Sequence, residues 1–373
     1  MLGFIDLPGN CKVNGEISLM SFPRTNATSS SWLLLVTTSL WLSNGLAAAT
    51  LGPLNTTATP IQEERFVTLG GIEQWITIRG ANRANPVLLI VHGGPGDAQS
   101  GLRSIYAVYE KDFTIVQWDQ RGAGRTYGEN PNSPPEPERV ESDGIELAQY
   151  LRNYLEKKKI VLLGHSWGTH LGTEMVQRRP ELFSAYVGTG QVGSWRASIQ
   201  AQFDFLLAKA RAANDRKRVE QLEAIGKPDP NDAAKYFSWW SIRNPYMSAD
   251  DAKWFAELRE IIRSNPEFTE AYMKTLGDGM SFSGRTTVGA MLKTELPTTA
   301  DTIKVPFIMI QGQEDMVTPT SVAVEYFQVV KAPKKKLILI EHAGHFAFVT
   351  HREEFLSALL KYVRPLAIKS ERH

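Results

Sequence analysis

A serine lies at the centre of residues 164–168, which read Gly-His-Ser-Trp-Gly. An apolar run at 160–163 comes before this segment, and a pattern typical of a helix follows it from 168 to 178. A serine that leaves a strand and enters a helix within one residue is crowded by the flanking backbone, which favours glycine at both ends. The context predicts a turn that presents Ser166 as a nucleophile, with the Trp167 N–H directed at a developing oxyanion. An accidental serine in a glycine-rich turn is the alternative.

A serine nucleophile needs a general base and a carboxylate that orients the base. The predicted strand 305–310 is followed by Gln-Gly-Gln-Glu-Asp, and the predicted strand 337–340 is followed by Glu-His-Ala-Gly-His. We predict Asp315 as the orienting carboxylate and His345 as the base. The order Ser166, Asp315, His345 along the chain is the order expected of an α/β-hydrolase.

Each of these two loops also contains a competing candidate, Glu314 in the first and His342 in the second. His345 is preferred because it follows a glycine and precedes an apolar residue, as suits a loop that enters an active site. Asp315 is preferred because its loop places it last. A capping or surface position is the alternative for His345.

An oxyanion hole needs a second backbone donor, which the loop after the third strand usually supplies. Here that loop is His-Gly-Gly-Pro-Gly at 92–96, between a buried strand and a helix. Its glycines allow backbone N–H groups to approach a ligand closely, and Gly94 is the best candidate to act with Trp167. Turn formation alone is the alternative.

Length and charge restrict the possible partners. The 373 residues, 42% hydrophobic, are enough for one large α/β core with an insertion, or for two ordinary domains. Lys and Arg number 41 against 40 Asp and Glu, a net charge of +1, so no strong field attracts nucleic acid or an anionic membrane. We therefore expect a small ester, amide or short peptide as substrate. The sequence leaves the oligomeric state open.

Cofactor chemistry finds little support in the sequence. The only cysteine is Cys11, in a segment that we expect to be removed, which excludes disulfides, thiol catalysis and cysteine metal sites from the mature protein. The histidines lack metal-ligand spacing, and no phosphate-binding loop occurs. No metal or organic cofactor is expected.

The first 49 residues are predicted to be a secretory signal. They contain Arg24, an apolar run from 32 to 42 that is too short to span a bilayer, and three alanines at 47–49 suited to cleavage. Met20 is an alternative start, and a disordered tail or an uncleaved anchor is the competing interpretation. Residues 50–64 are predicted to be a flexible leader. The mature protein is then secreted or periplasmic, without stable membrane insertion.

From residue 65 onward, short apolar strands alternate with amphipathic helices. This alternation predicts the α/β class and a mostly parallel, doubly wound sheet, built from residues 65–192 and 303–373. The predicted strands are 66–69, 74–78, 87–91, 113–118, 160–163, 185–188, 305–310 and 337–340. Residues 193–302 interrupt the alternation with successive helical patterns and are predicted to form a helical cap. Its many aromatic side chains can fill its own core or line an apolar substrate pocket.

Three segments together resemble the prolyl aminopeptidase (proline iminopeptidase) branch of the α/β-hydrolase superfamily, peptidase family S33. They are residues 92–96, 164–168 and 118–124, the last reading Trp-Asp-Gln-Arg-Gly-Ala-Gly. The resemblance covers about 65–192 and 303–365. It implies an α/β-hydrolase fold, a triad of Ser166, Asp315 and His345, and an oxyanion hole formed by Gly94 and Trp167.

Two residues of the second segment, Asp119 and Arg121, are implied to hold the loop beside the active site. A solvated ion pair is the alternative for them.

The predicted cap departs from the family pattern. Proline iminopeptidases place cap glutamates beside a tryptophan to bind the substrate's free amine, but Trp239 and Trp240 here have no adjacent acid. These tryptophans and Tyr246 are candidate substrate-binding residues. The possible substitutes for the missing acids are Glu267, Glu270 and Glu295.

We therefore expect a secreted serine hydrolase that cleaves an ester or amide of a small acyl substrate through an acyl-enzyme. The alternatives are a proline iminopeptidase and a ligand-binding receptor that retains the triad. A dehalogenase or epoxide hydrolase of the same fold would need aspartate in place of Ser166.

Overall fold

The computed structural model describes residues 58–372, except 228, 230–231, 233–241 and 243–247. The predicted signal, most of the predicted leader, and Trp239, Trp240 and Tyr246 lie outside the described residues. From Ala58 onward the described residues belong to one compact unit. In this part of the chain, no helix is both long and apolar enough to cross a membrane.

Eight strands form one sheet in the order β1-β2-β4-β3-β5-β6-β7-β8. Only the pairs β1–β2 and β2–β4 are antiparallel, and every other neighbouring pair is parallel. The predicted fold class is therefore confirmed. The strands are β1 Ile61–Leu69, β2 Ile72–Gly80, β3 Val87–Val91, β4 Thr114–Trp118, β5 Ile160–His165, β6 Phe183–Thr189, β7 Phe307–Gly312 and β8 Lys335–Ile340.

The central strands are apolar because helices cover both faces of the sheet. All residues of β3, β4, β5, β6 and β7 are buried. In β5, Ile160 and Leu162 pack into one hydrophobic cluster, while Val161 and Leu163 pack into the cluster on the opposite face. A strand buried on both faces needs a continuous apolar run, and the sequence of β5 supplies one.

Helices connect the strands and continue past β8. They are α1 Arg103–Tyr106, α2 Gly124–Glu129, α3 Pro137–Tyr154, α4 Trp167–Arg178, α5 Trp195–Ala212, α6 Arg216–Ile225, α7 Ala249–Ser264, α8 Glu270–Met291, α9 Leu296–Thr299, α10 Thr320–Val329, α11 Ala347–Thr350, α12 Arg352–Ala358 and α13 Arg364–Arg372. A π-helical turn, Leu359–Val363, joins α12 to α13. These elements together carry the helical C-terminal segment to Arg372.

The first strand begins earlier than the sequence predicts. β1 starts at Ile61, which pairs with Gly80, so residues 61–64 are strand and not leader. These residues carry charge because β1 is an edge strand and its outer side faces solvent. Glu63 accepts a hydrogen bond from the Tyr154 hydroxyl, and Glu64 forms an ion pair with Arg103 at 2.8 Å.

The insertion between β6 and β7 contains α5 to α9. Trp195, Ile199 and Phe203 of α5 belong to the same hydrophobic cluster as one face of the sheet. An isolated bridge between Ser194 and Glu295 joins the two ends of the insertion. The start and end of the insertion are thus packed onto the core.

Candidate active site

The turn after β5 places Ser166 in a backbone conformation that side chains rarely adopt. Its φ is 55° and its ψ is −123°, and it stands directly before the first residue of α4. A Cβ on Gly164 would come 2.6 Å from the Gly168 carbonyl oxygen, and one on Gly168 would come 2.0 Å from the Val91 carbonyl oxygen. The glycines therefore allow the close approach that the strained turn requires.

The loops after β7 and β8 bring Asp315 and His345 together. The His345 Nδ1 lies 2.9 Å from the Asp315 Oδ2, and the two side chains are 4% and 0% exposed. Donors surround the Asp315 carboxylate: Oδ1 accepts from the N–H groups of Val317 and Thr318, and Oδ2 accepts from the Thr318 hydroxyl. With the carboxylate so fixed, the imidazole has one preferred orientation.

The competing candidates lie at the surface and contact each other. His342 and Glu314 have side chains that are 86% and 51% exposed, and the His342 Nδ1 is 3.4 Å from the Glu314 Oε1. Each loop thus contributes one residue to an exposed pair and one residue to a buried pair. Burial distinguishes His345 and Asp315 as the internal pair.

The ends of neighbouring strands position Ser166 close to the His345 loop. The Ser166 N–H donates to the Thr189 carbonyl at 3.1 Å, at the end of β6. At the next residue, a Cβ on Gly190 would meet the His345 Cε1 at 2.8 Å. The His165 Nε2 donates to the His345 carbonyl at 3.1 Å. The residue before the candidate nucleophile therefore holds the backbone of the candidate base.

The loop at 92–96 lies directly against the serine. A Cβ on Gly93 would come 2.9 Å from the Ser166 Cβ, and the Gly94–Pro95 peptide is cis. Among the described residues, neither the Gly94 N–H nor the Trp167 N–H has a hydrogen-bond acceptor. Two unsatisfied donors beside a nucleophile are what an oxyanion hole requires.

A buried histidine supports this loop. The His92 Nδ1 donates to the Gly93 carbonyl at 2.9 Å, and its Nε2 accepts from the Gln120 N–H at 3.3 Å. These bonds assign the neutral tautomer with the proton on Nδ1. Burial lowers the pKa of the His92 imidazole to about 4.

The segment at 118–124 contributes two buried charged residues, Arg121 and Asp119. The buried Arg121 guanidinium donates to both carboxylate oxygens of Asp143 on α3, at 2.8 and 3.2 Å. Asp119 is fully buried and accepts from the Arg125 N–H at 2.9 Å, and burial raises its pKa to about 6. Arg121 and Asp119 thus contact backbone and core and are not solvated.

The structure places the three candidate glutamates of the insertion in different environments, and only Glu267 is paired with a cation among the described residues. Glu267 pairs with Arg103 at 2.9 Å, Glu295 accepts from the Ser194 hydroxyl at 2.9 Å, and Glu270 is exposed in the first turn of α8. Within the described part of the chain, no group of three His, Cys, Asp or Glu side chains could hold a metal ion.

Sequence reasoning did not single out two acids near His345. Asp97 follows the glycine loop directly, and the His345 charge lowers the raised pKa that burial gives it. Asp251, in the first turn of α7, accepts from the His345 N–H. An acid next to the glycine loop was a detectable signal for Asp97, but no sequence signal links residues 251 and 345.

Known proteins resemble this chain in sequence and in fold. The family model described as the alpha/beta hydrolase fold matches residues 86–352. The chain is 27% identical over 307 residues to a probable aminopeptidase of Bacillus subtilis, YbaC, covering 80% of this chain and 95% of that protein. It is 26% identical over 298 residues to a proline iminopeptidase of Lactobacillus helveticus, covering 79% of this chain and 95% of that protein.

The fold also resembles that of a solved structure. The proline iminopeptidase of Mycobacterium smegmatis aligns with a TM-score of 0.56 and 20% identity, over 83% of this chain and 100% of that chain. The family match extends from the strand before the glycine loop to the helix after His345. The chain therefore belongs to the α/β hydrolase fold family, as a hydrolase that resembles prolyl aminopeptidases.

Proposed function

We propose that this protein is a serine hydrolase that cleaves an ester or amide of a small acyl substrate through an acyl-enzyme. The observation that carries the proposal is the buried pair of His345 and Asp315 next to a serine in a strained strand-to-helix turn. The Asp315 Oδ2 accepts a hydrogen bond from the His345 Nδ1–H, which leaves Nε2 as the basic nitrogen.

In the first half of the reaction, the His345 Nε2 takes the Ser166 hydroxyl proton as Oγ attacks the acyl carbon. The N–H groups of Gly94 and Trp167 stabilise the oxyanion that forms. Collapse of the tetrahedral intermediate breaks the bond to the leaving group, which receives the proton from His345. Water then attacks the acyl-enzyme by the same route, and the acid product leaves with Ser166 regenerated.

A fluorophosphonate probe tests this proposal directly. We expect the wild type to be labelled, with mass spectrometry locating the adduct on Ser166, and Ser166→Ala to lose both labelling and turnover, roughly 10⁴-fold or more. His342→Gln is the matched control for His345→Gln, because it removes the exposed histidine of the same loop. Equal effects of the two histidine substitutions, or an adduct on another residue, would contradict the proposal.

A second candidate function is release of an N-terminal residue from a peptide, as the names of the two relatives suggest for those proteins. One observation favours it here. Asp97 lies in the loop after Gly94, its Oδ2 accepts from the Gln99 amide at 3.2 Å, and the His345 charge acts on it. Among the described residues, no cationic side chain lies within ion-pair distance of Asp97. A half-buried carboxylate without a paired cation can bind a substrate ammonium group.

The two candidates differ in their response to a free amine. The comparison is kcat/KM for proline p-nitroanilide, its N-acetyl derivative and a p-nitrophenyl ester, with wild type, Asp97→Asn and the exposed control Glu270→Gln. Because Glu267 is paired with Arg103 and Glu270 is exposed to solvent, the first proposal expects the neutral substrates to be preferred. A preference for the free amine above about tenfold, lost only in Asp97→Asn, would establish the second candidate.

We also propose that the protein is exported. The support is the apolar run at 32–42 followed by the three alanines at 47–49. Neither segment belongs to the described structure, and β1 begins after both of them.

A further inference from the structure

The loop that carries His345 is attached to the start of α7 by two hydrogen bonds. The Gly344 N–H donates to the Asp250 Oδ2 at 2.9 Å, and the His345 N–H donates to the Asp251 Oδ1 at 2.8 Å. The two acceptors are adjacent residues of the insertion, about 94 positions earlier in the chain. The insertion therefore contacts the backbone of the candidate base itself.

These carboxylates do not serve their own helix as first-turn acids usually do. Such acids commonly interact with the N–H groups at the start of the same helix. In α7 the Ser248 hydroxyl performs this role, because it accepts from the Asp251 N–H at 3.0 Å. The side chains of Asp250 and Asp251 are thus available for the loop, and Asp250 also accepts from the Thr350 hydroxyl at 2.6 Å.

The two segments are packed closely where they meet. A Cβ on Gly344 would come 2.5 Å from both the Asp251 Oδ1 and the Ser248 Oγ. Asp251 is 4% exposed, and within the described part of the chain no cation forms an ion pair with it. Burial raises its pKa, the charge of His345 lowers it, and the charge of Asp315 raises it. The His345 N–H is the loop donor that compensates this buried carboxylate.

We infer that Asp251 is a positioning residue that holds the His345 backbone in place relative to Ser166. The imidazole is fixed by Asp315 through Nδ1, and its backbone is fixed on two sides, by His165 at the carbonyl and by Asp251 at the N–H. Removing the Asp251 acceptor releases one of these backbone contacts. A displacement of about 1 Å at a catalytic group can lower the rate about 100-fold, so a lost contact here should affect chemistry.

The inference rests on the proposed function, and its test compares two substitutions. Asp251→Ala removes the acceptor, whereas Asp251→Asn keeps an oxygen of nearly the same shape. With a p-nitrophenyl ester, we expect Asp251→Ala to lower kcat by about 10- to 100-fold with KM within threefold of wild type. The rate of fluorophosphonate labelling of Ser166 should fall in the same ratio, and Asp251→Asn should recover to within about threefold of wild type.

Thr269→Ala is the control for lost stability, because Thr269 caps α8 through the Tyr272 N–H and lies in the same insertion. It should lower Tm while kcat stays within twofold of wild type. If Asp251→Ala does not fold, Asp251→Ser replaces it, since serine is too short to reach the His345 N–H but remains polar.

The inference is overturned if Asp251→Ala keeps kcat within twofold of wild type, if the asparagine variant is as impaired as alanine, or if only KM changes. Failure of the wild type to label at Ser166 would instead overturn the proposed function.

Discussion

The Nδ1 of His345 and the Oδ2 of Asp315 lie 2.9 Å apart, and both side chains are almost completely shielded from solvent. The carboxylate reaches the ring from the loop after β7, and the ring comes from the loop after β8. Gln311, in β7, also donates to the same carboxylate oxygen at 2.9 Å. The orientation of the imidazole therefore depends on Asp315 and on the residues that hold Asp315.

We predict that Asp315→Asn lowers kcat for an ester substrate by about 10⁴-fold, because an amide donor facing Nδ1 favours the wrong imidazole tautomer. Stopped assays with a p-nitrophenyl ester at pH 7.5 or so measure the change. The control is Glu314→Gln, which alters the adjacent, exposed acid and should stay within twofold of wild type. A similar loss in both variants would mean that the loop, and not the carboxylate, is responsible.

The space around two glycines, Gly168 in the serine turn and Gly289 in α8, predicts opposite effects of their substitution by alanine. Gly168→Ala would place a Cβ 2.0 Å from the Val91 carbonyl oxygen, so we expect a loss of about 3 kcal/mol in the free energy of unfolding, or more. Gly289→Ala, in α8, meets nothing within 4 Å and should raise that free energy by about 0.5–1 kcal/mol. Urea denaturation of both variants measures the difference, and equal stabilities would disagree with the described packing.

The buried His92 predicts a loss of stability in acid. Its pKa is about 4 in the folded protein and about 6.5 when unfolded, so between these values the unfolded state binds more protons. Folding stability from this group is then lost as pH falls through that range, by about 2 kcal/mol between pH 7 and pH 5.

His92→Gln tests this, because the glutamine oxygen can accept from the Gln120 N–H without titrating. Urea denaturation at pH 7 and pH 5 should show a smaller acid loss in the variant by about 2 kcal/mol. The other histidines are unchanged, so the difference between the two proteins isolates His92. An identical acid loss in wild type and variant would argue against the lowered pKa.

The export proposal predicts a mature N-terminus near Thr50. Mass spectrometry of protein recovered from the periplasm or the medium should show cleavage after the alanines at 47–49. An intact N-terminus on protein from the cytosol would refute export and would return Cys11 to the mature chain.

Local patterns in the sequence were sufficient for most of the fold. The apolar run of β5 and the glycines around Ser166 predict a strand, a tight turn and a helix because each depends on neighbouring residues alone. The structure has a strand, a tight turn and a helix at these positions, and its strand order confirms the predicted fold class. The roles of Ser166, Asp315 and His345 in catalysis remain predictions.

What the sequence left open were choices between residues with similar local signals. His342 and His345 lie in one loop, as do Glu314 and Asp315, and only packing shows which pair is buried. The start of β1 was missed because an edge strand tolerates charges that otherwise mark a leader.

Contacts between distant segments were decided by the tertiary structure alone. Glu267 meets Arg103 across 164 positions, which removes it as an amine-binding residue. Asp251 meets the backbone of His345 across 94 positions, which makes it a candidate positioning residue. A sequence pattern reports periodicity along the chain, but the environment of a side chain depends on which segments the sheet order brings together, and that order is set by the packing of the whole core.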